Sequence, residues 1–379
     1  MKPYLLVTGD FAQTGGMDMA NYALACHVAE QGNEVHLVTH RAAEDLAARP
    51  NLAVHRVPKP AGSYLLAGPL LDHFGRYWAA RIAARGGRVV VNGGNCRWGD
   101  INWVHYVHAA YVPQCAGSAM RKLKSLWGHQ RFLADERESL RRARVVITNS
   151  ERTKRDVVER LSIPVDRVHT VHYGIDGDRF HPPTAEERAT ARAMLGWPNG
   201  KIAVGFVGGL GDRRKGFDTV FTAWKMLCAD SQWDADLAVI GAGSDLRLWK
   251  SLAIQVGLDS RIHFLGFRRD VSTVLTACDA LVGPARYEAY GLGVQEALCC
   301  GLPALVTRTA GVAERYPPEL HDLLIPDPDD AADLAKRLRD WRARAETYRA
   351  AVASLSQRLR AHTWDHMAAQ IVDIIEAAA

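Results

Sequence analysis

Short apolar runs alternate along the chain with longer segments in which apolar residues recur at helical spacing. This alternation predicts parallel sheets with helices on both faces. A helix from about Met17 to Gln31 fills the first connection, and Gly32 ends it. In the first half of the chain, the apolar runs predict strands at Tyr4–Thr8, Glu34–Thr39, Arg88–Val91, Trp103–Val107, Val145–Thr148 and Val168–Val171.

The same pattern begins again after Pro182-Pro183. A strand at Ile202–Val207 leads into a glycine-rich turn, and a helix from Phe217 to Ala229 follows. A last helix runs from about Trp364 to the end of the sequence. Later apolar runs predict strands at Ala238–Ile240, Ile262–Phe264, Ala280–Val282 and Ala304–Val306.

This repetition predicts two doubly wound α/β domains, residues 1–183 and 184–361. Ligands of open α/β sheets bind at the carboxyl ends of the strands, where the strand order reverses. We therefore expect the first βα turns of the two domains, at Gly15-Gly16 and at 208–216, to face one interdomain cleft. The length of 379 residues agrees, because a single core rarely serves so long a chain.

The composition is that of an ordinary globular protein. No apolar run of about eighteen residues is present, so no spanning helix is predicted. The first residues lack the basic region and cleavage site of a signal peptide, and we expect a cytoplasmic protein. Seven cysteines cannot all pair, and none has CxxC spacing, which favours buried free thiols in a reducing compartment.

Positive charge is concentrated in one segment, although the net charge is only +5. Two interpretations remain open: a solvated helix face, or a peripheral contact with an anionic membrane or an anionic acceptor. No recognition motif supports nucleic-acid binding. The basic residues of this segment are Arg121, Lys122, Lys124, Arg131, Arg137, Arg141, Arg142 and Arg144. Its apolar residues include Leu123, Leu126, Trp127, Phe132 and Leu133.

The segment from Glu288 to Glu296 carries the strongest chemical signal. Gly291 and Gly293 lie between the two carboxylates, where a helix is predicted to begin near Val294. Glycines at a helix start let backbone amides approach an anion, and the helix dipole favours negative charge there. Carboxylates beside that anion would be repelled by it unless they accept hydrogen bonds from neutral hydroxyls. The pattern therefore indicates a site for a phosphate and a sugar, and two solvated glutamates beside a turn are the alternative.

Several motifs together resemble the family 4 retaining glycosyltransferases, which have the GT-B fold of two Rossmann-like domains facing across a cleft. The resemblance extends over nearly the whole chain. In the donor-site region it rests on 279–284, Glu288, 296–298, 301–303 and 311–314. Elsewhere it rests on the glycine loop Thr14–Met17, on 143–151, on 171–176 and on 363–365. The last match implies that a final helix, 362–379, packs back on the first domain.

The resemblance implies that a nucleoside-diphosphate sugar binds mainly to the second domain as a co-substrate. Lys215 corresponds to the family's diphosphate-binding lysine, but the family's arginine is replaced here by Gly209. Arg213 or Arg214 is the candidate substitute for that charge. Glu296 is implied to hold the ribose, and Glu288 the sugar hydroxyls. The other donor-binding candidates are Gly16, Phe267, Arg268, Tyr290, Gly291, Leu292 and Gly293.

Two histidines lie near the carboxyl end of the strand predicted at Trp103–Val107. His108 resembles the family's acceptor-side histidine, which implies that it contacts the donor sugar and orients the acceptor. We interpret His105 as a hydrogen-bonded core residue. His108, Glu288 and Lys215 are the predicted catalytic residues.

No metal or other cofactor is predicted, because no Asp-x-Asp pair follows a strand in the manner of metal-dependent sugar transferases. Lys215 and the helix dipoles would supply the charge of a magnesium ion. We interpret the run Asp327–Asp330 as a helix N-terminal turn. Gly241-Ala242-Gly243 lacks the third glycine of a dinucleotide site, so NAD is not indicated.

We therefore predict a retaining, metal-independent hexosyltransferase. It would pass a sugar from a nucleoside-diphosphate sugar to a glycan or lipid-linked acceptor in bacterial glycan, lipopolysaccharide or glycolipid synthesis. No carboxylate is identifiable as a covalent nucleophile, which favours a same-face path through an oxocarbenium-like transition state. The alternatives are another GT-B enzyme, such as a nucleotide-sugar 2-epimerase, or a non-catalytic sugar-nucleotide-binding protein.

Overall fold

A computed structural model shows two α/β units in one chain. It describes residues 2–114 and 119–378, with the side chain of Arg121 left out. The first unit contains the residues up to Val112, Leu123–Gly174, and those from His362 onward. The second unit contains the remaining described residues. Each unit holds a parallel sheet of its own, which confirms the predicted pair of α/β domains.

The first unit contains nine strands and five helices of its own before the C-terminal helix, among the residues described. The strands are β1 (Pro3–Val7), β2 (Asp10–Phe11), β3 (Glu34–Thr39), β4 (Arg41–Ala42), β5 (Leu52–Arg56), β6 (Arg88–Asn92), β7 (Ile101–Val104), β8 (Val145–Thr148) and β9 (Val168–Thr170). The helices are α1 (Gly16–Glu30), α2 (Glu44–Ala47), α3 (Tyr64–Ala83), α4 (Ala119–Arg142) and α5 (Glu151–Leu161). Of α4, the residues from Leu123 onward belong to this unit, and those up to Lys122 belong to the second. Seven strands form one parallel sheet in the order β5-β3-β1-β6-β7-β8-β9.

The second unit has a six-stranded parallel sheet. Its strands are β10 (Ile202–Val207), β11 (Ala235–Ile240), β12 (Ile262–Gly266), β13 (Ala280–Gly283), β14 (Ala304–Thr307) and β15 (Leu324–Ile325). Its helices are α6 (Ala185–Leu195), α7 (Phe217–Cys228), α8 (Leu246–Gln255), α9 (Val271–Ala277), α10 (Leu292–Cys299), α11 (Ala331–Ala343) and α12 (Ala345–Arg360). The strand order is β12-β11-β10-β13-β14-β15.

The first strand of each unit lies inside its sheet. β1 pairs with β3 on one side and β6 on the other, and β10 pairs with β11 and β13. Every residue of β1 is buried, since both faces of a parallel sheet are covered by helices. The strand order reverses beside these two strands, and ligands of open α/β sheets bind at the carboxyl side of such a point.

The structure differs from the predicted elements at three places. β7 ends at Val104 rather than Val107, so His105 follows the strand and His108 opens a short 3₁₀ turn. β5, Leu52–Arg56, was not predicted because it is a half-exposed edge strand that mixes apolar and polar residues. β15 was missed because two residues give no readable pattern.

The division between the units falls after Gly174, whereas the sequence pattern placed a boundary after residue 183. Ile175 and Phe180 explain the difference, because both are buried in the core of the second unit. The first unit is completed by α13 (Trp364–Ala377). This helix packs along α1, where Asp365 Oδ1 lies 2.6 Å from His27 Nδ1.

Six cysteines are free, and Cys115 lies outside the described residues. Cys26 and Cys228 are half-buried, and the other four free cysteines are buried as predicted. Within the residues described, no helix is both long and apolar enough to cross a membrane.

Candidate functional site

Three loops follow the carboxyl ends of β10, β11 and β13 in the second unit, and close backbone contacts join the first two. Gly208 N donates to Ile240 O at 2.9 Å, and Leu210 N donates to Ala242 O at 3.0 Å. A Cβ at Gly241 would lie 1.8 Å from Gly208 O, so only glycine fits there. The glycines of the loop after β11 therefore serve backbone packing.

Gly216 brings the loop after β10 against the loop after β13. Its φ is 73°, and a Cβ would lie 1.9 Å from Pro284 O. Arg286 N donates to Arg214 O at 2.8 Å across the same contact. The two loops are thus held in register by the backbone, which places Lys215 beside the segment that carries Glu288.

Lys215 and Glu288 form an ion pair, and their side chains are 24% and 16% exposed. Each charge is neutralised by the other, which lowers the cost of keeping both out of water. Lys215 is the predicted diphosphate cation and Glu288 the predicted sugar ligand. The structure brings these two candidates into direct contact.

The two neighbouring arginines differ in their surroundings. Arg213 Nε donates to Asp218 Oδ2 on α7 at 2.7 Å, so its guanidinium is held along the helix. Arg214 Nη1 donates to Tyr287 O at 3.2 Å, next to Glu288. Arg214 therefore lies closer to the candidate site than Arg213 does.

A second glycine shapes the start of α10. Gly291 has φ 111° and precedes the first residue of the helix, Leu292. The strand-to-helix segment is fixed from behind, because Val312 N donates to Tyr290 O at 2.7 Å and the Tyr290 hydroxyl bonds Gln295. Tyr290 is therefore buried and supports the helix start rather than presenting its hydroxyl to a ligand.

Glu296 lies on α10, and its carboxylate makes no hydrogen bond or ion pair within the described parts of the chain. Burial raises its pKa to about 7, and Arg179 opposes that rise. A half-buried carboxylate without a partner is costly for a stable fold. Such a group is suited to accept hydrogen bonds from an incoming ligand. Arg179 was not predicted, and its only sequence signal is its place after the Gly174-Ile175-Asp176 run.

Phe267 and Arg268, two of the predicted donor-binding residues, follow β12. The Phe267 ring is 70% exposed. Arg268 Nε donates to Asp270 Oδ1 at 2.9 Å, so its side chain is held near the start of α9. The exposed ring is the part of this pair that is open to a planar ligand.

Two candidates belong to the first unit. Gly16 begins α1, after Gly15 with φ 83°. His108 begins the 3₁₀ turn after β7, and burial together with His129 lowers its pKa to about 4. His108 is therefore neutral near pH 7, so one of its ring nitrogens can donate a hydrogen bond and the other can accept one. His105 is buried as expected, with its Nδ1 2.5 Å from the Tyr173 hydroxyl.

Among the residues described, no three His, Cys, Asp or Glu side chains cluster as metal ligands would. The run Asp327–Asp330 is confirmed as a helix N-terminal turn, because Asp330 accepts from Ala332 N and Asp333 N at the start of α11. Asp329 Oδ1 accepts a hydrogen bond from Arg286 Nε at 2.8 Å.

Solved structures share this fold over the whole chain. Sucrose-phosphate synthase from Thermosynechococcus elongatus is 20% identical, with a TM-score of 0.77, over 100% of this chain and 99% of that one. WaaG, a glycosyltransferase involved in lipopolysaccharide biosynthesis, is 22% identical, with a TM-score of 0.76, over 98% and 99%. Anabaena HepE, in complex with UDP and glucose, is 16% identical, with a TM-score of 0.70, over 99% of each chain. The architecture is therefore that of GT-B proteins.

Family models match both units. The model for glycosyl transferases group 1 matches residues 187–354, and the model for glycosyltransferase family 4 matches residues 14–179. The chain belongs to the group 1 glycosyltransferases, with a family 4 N-terminal part.

Curated relatives align over part of their length. 2-Deoxystreptamine N-acetyl-D-glucosaminyltransferase from Streptomyces fradiae is 32% identical over 60% of this chain and 53% of its own. D-inositol 3-phosphate glycosyltransferase from Corynebacterium jeikeium is 29% identical over 63% and 58%. The chain thus spans little more than half the length of these two relatives.

The raised pKa of Glu296 predicts a pH-dependent effect of Glu296→Gln on stability. Between about pH 4.5 and 7 the folded protein holds a proton that the unfolded chain has released, so this group makes stability fall as pH rises. The glutamine of Glu296→Gln does not titrate, so the variant does not lose this stability as the pH rises. We expect it to be more stable than the wild type at pH 8 by about 1–3 kcal/mol and nearly equal at pH 5, in urea unfolding.

Glu319→Gln, at an exposed position of the same unit, is the matched control. It should change stability equally little at both pH values. A Glu296→Gln effect of the same size at pH 5 and pH 8 would contradict the assignment.

Proposed function

We propose that this protein is a retaining glycosyltransferase that moves a hexose-type sugar from a nucleoside-diphosphate sugar to an acceptor, without a metal ion. The observation that carries the proposal is one cluster in the second unit. It combines the Lys215–Glu288 ion pair, the glycine-framed start of α10, and Glu296, for which no partner is found among the described residues. Family membership supports the transferase class, and the glycosyltransferase activities of the relatives support a sugar donor.

The proposed donor site divides the nucleotide sugar among three kinds of group. Glu296 accepts hydrogen bonds from ribose hydroxyls, and the exposed Phe267 lies toward the base. Lys215 and the amides at the start of α10 hold the diphosphate. Glu288 is then released from Lys215 to accept hydrogen bonds from sugar hydroxyls. The ion pair is thereby replaced by two ligand contacts: Lys215 gains the charge of the diphosphate, and the Glu288 carboxylate accepts hydrogen bonds from neutral hydroxyls.

The proposed chemistry depends on the negative charge that develops on the diphosphate leaving group. As the glycosidic bond breaks, negative charge grows on the diphosphate, and Lys215 stabilises it. The acceptor hydroxyl attacks from the face that the diphosphate leaves and passes its proton to the departing phosphate oxygen, which gives retention through an oxocarbenium-like transition state. The resemblance to the family assigns His108 to the acceptor side. A neutral imidazole can form hydrogen bonds with hydroxyls without attracting phosphates to itself.

A panel of nucleoside-diphosphate sugars tests the function. Thermal shift identifies the donor, and mass spectrometry of the products distinguishes the outcomes. Sugar transfer or donor hydrolysis to the nucleoside diphosphate supports a transferase. An epimerised, intact nucleotide sugar would identify a 2-epimerase. Binding without any turnover, with a range of glycan and lipid-linked acceptors, would identify a sugar-nucleotide-binding protein.

We expect Lys215→Ala and Glu296→Ala each to weaken binding of the matching nucleoside diphosphate by roughly 10- to 100-fold in isothermal titration, since each loses a hydrogen bond to a charged group. Lys336→Ala and Glu319→Ala, both exposed and in the same unit, should bind as the wild type does. Unchanged affinity in both site variants would remove the assignment.

The loss in Lys215→Ala has a second component, because the Glu288 carboxylate loses the cation of its ion pair and stays beside the diphosphate. Adding Glu288→Gln to Lys215→Ala should therefore recover part of the affinity. No recovery would mean that the two residues do not share one ligand.

We further propose that activity needs no divalent metal, because Lys215 lies where the leaving diphosphate is expected. Transfer rates in excess EDTA should equal those in buffer alone. A rate that falls in EDTA and returns with magnesium or manganese would refute this.

We also propose a cytoplasmic protein that contacts an anionic membrane peripherally through the first turns of α4. The exposed fractions there are 80% for Met120, 69% for Leu123, 44% for Leu126 and 61% for Trp127. Met120, Leu123 and Trp127 share one face at helical spacing. Lys122 and Lys124 are exposed beside them, whereas the side chain of Arg121 lies outside the described residues. An apolar strip flanked by cations suits a surface of anionic headgroups over acyl chains.

Flotation with liposomes tests the membrane proposal. Binding should require anionic lipid and fall at high salt, because each cation contributes about 1 kcal/mol near the surface and salt screens it. Lys122→Glu with Lys124→Glu should abolish flotation, and Arg56→Glu with Arg155→Glu, exposed elsewhere, should not. Equal recovery on neutral and anionic vesicles, or on neither, would favour a soluble acceptor.

A further inference from the structure

The C-terminal half of α4 lies directly against the turn that carries His108. His129, Phe132 and Glu136 are spaced on one face of this helix. The Phe132 ring is stacked on the His108 imidazole at 5.1 Å between centroids, and His129 meets it edge-on at 6.3 Å. The imidazole thus has two aromatic neighbours from a single helix.

Glu136 binds the backbone of the same turn. Its Oε1 accepts from His108 N at 2.8 Å, and its Oε2 accepts from Ala109 N at 3.1 Å. The side chain is completely buried. A carboxylate that bridges two successive N–H groups fixes both the position and the direction of the turn, which a single bond would not do.

The helix is also fixed at this point from the other side. A Cβ at Gly94 would lie 2.9 Å from Glu136 N, so the loop after β6 touches the helix backbone. The backbone of Glu136 therefore has a defined position, and the two hydrogen bonds of its carboxylate fix the position of His108 relative to it. All of these contacts lie within the first unit.

Stability alone gives little reason for a carboxylate here. Burial raises the pKa of Glu136 to about 7, and the two N–H donors with Arg137 oppose that rise. Keeping a charge out of water is expensive, and a neutral acceptor or a water molecule would satisfy one amide at lower cost. The double acceptor geometry is what the carboxylate adds.

From this geometry we infer that Glu136 is a positioning residue, which holds His108 in the orientation that sugar transfer requires. The inference rests on the proposed function of His108. Glu136 itself touches neither donor nor acceptor in this role. Its contribution should therefore appear in the rate of transfer and not in the affinity for the donor.

Hydrogen exchange tests the contact without any substrate. In the wild type, the amides of His108 and Ala109 should be protected, although these first two amides of a short turn would ordinarily exchange quickly. Glu136→Gln keeps the shape but can accept only one of the two bonds, and we expect exchange there to speed up roughly tenfold or more. Glu138→Gln is the control, because Glu138 lies on the same helix but pairs with Arg97 and Arg142 near the surface.

Kinetics separate positioning from folding. Glu136→Gln should lower kcat about 10- to 100-fold, with the donor dissociation constant and the melting temperature near those of Glu138→Gln. A lower melting temperature with unchanged kcat would make Glu136 merely structural. If Glu136→Gln does not fold, the wild-type exchange decides: unprotected amides at His108 and Ala109 would overturn the inference.

A double variant separates this inference from the proposed function. In a His108→Ala background, Glu136→Gln should cost no further rate, because the two act as one unit. Additive losses would show that Glu136 acts by another route. If His108→Ala alone leaves transfer unchanged, the proposed role of His108 fails and the inferred role of Glu136 fails with it, whereas faster exchange in Glu136→Gln would still establish the contact.

Discussion

The ion pair between Lys215 and Glu288 is the interaction on which the second unit's site depends. It joins the loop after β10 to the loop after β13, and Gly216 makes that approach possible by leaving no Cβ against Pro284 O. Neither half-buried charge would be tolerated alone at low cost. We propose that an anionic ligand takes Lys215 from Glu288, which would couple donor binding to the release of the carboxylate that we propose for the sugar.

Two other carboxylates are both kept out of water, but they have different roles in this protein. Burial raises the pKa of both Glu296 and Glu136 to about 7. Glu136 is satisfied by two backbone amides, which makes it a fixed part of the first unit. The Glu296 carboxylate makes no hydrogen bond and no ion pair within the described residues, which leaves it able to accept hydrogen bonds from a ligand. The difference in partners, rather than the shared pKa, separates a positioning group from a proposed binding group.

The sequence predicted the two parallel sheets because buried strands such as Ile202–Val207 are nearly continuous apolar runs. It missed the edge strand Leu52–Arg56, whose pattern is mixed. The donor-site candidates were found through glycine spacing and family resemblance, but their contacts were not. Nothing in the sequence indicates that Lys215 pairs with Glu288, because that contact depends on the meeting of two loops distant in sequence. Glu136 was passed over because one glutamate in a basic helix looks like a solvated residue until burial is known.

In the proposed donor site, the diphosphate replaces the contact between Lys215 and Glu288. A crystal structure of the protein with the diphosphate identified by the donor panel tests this directly. We expect Lys215 Nζ to lie within hydrogen-bond distance of a phosphate oxygen and no longer of Glu288. The Glu296 carboxylate should accept hydrogen bonds from the ribose hydroxyls. A bound diphosphate that leaves the ion pair intact, or that lies away from the start of α10, would contradict it.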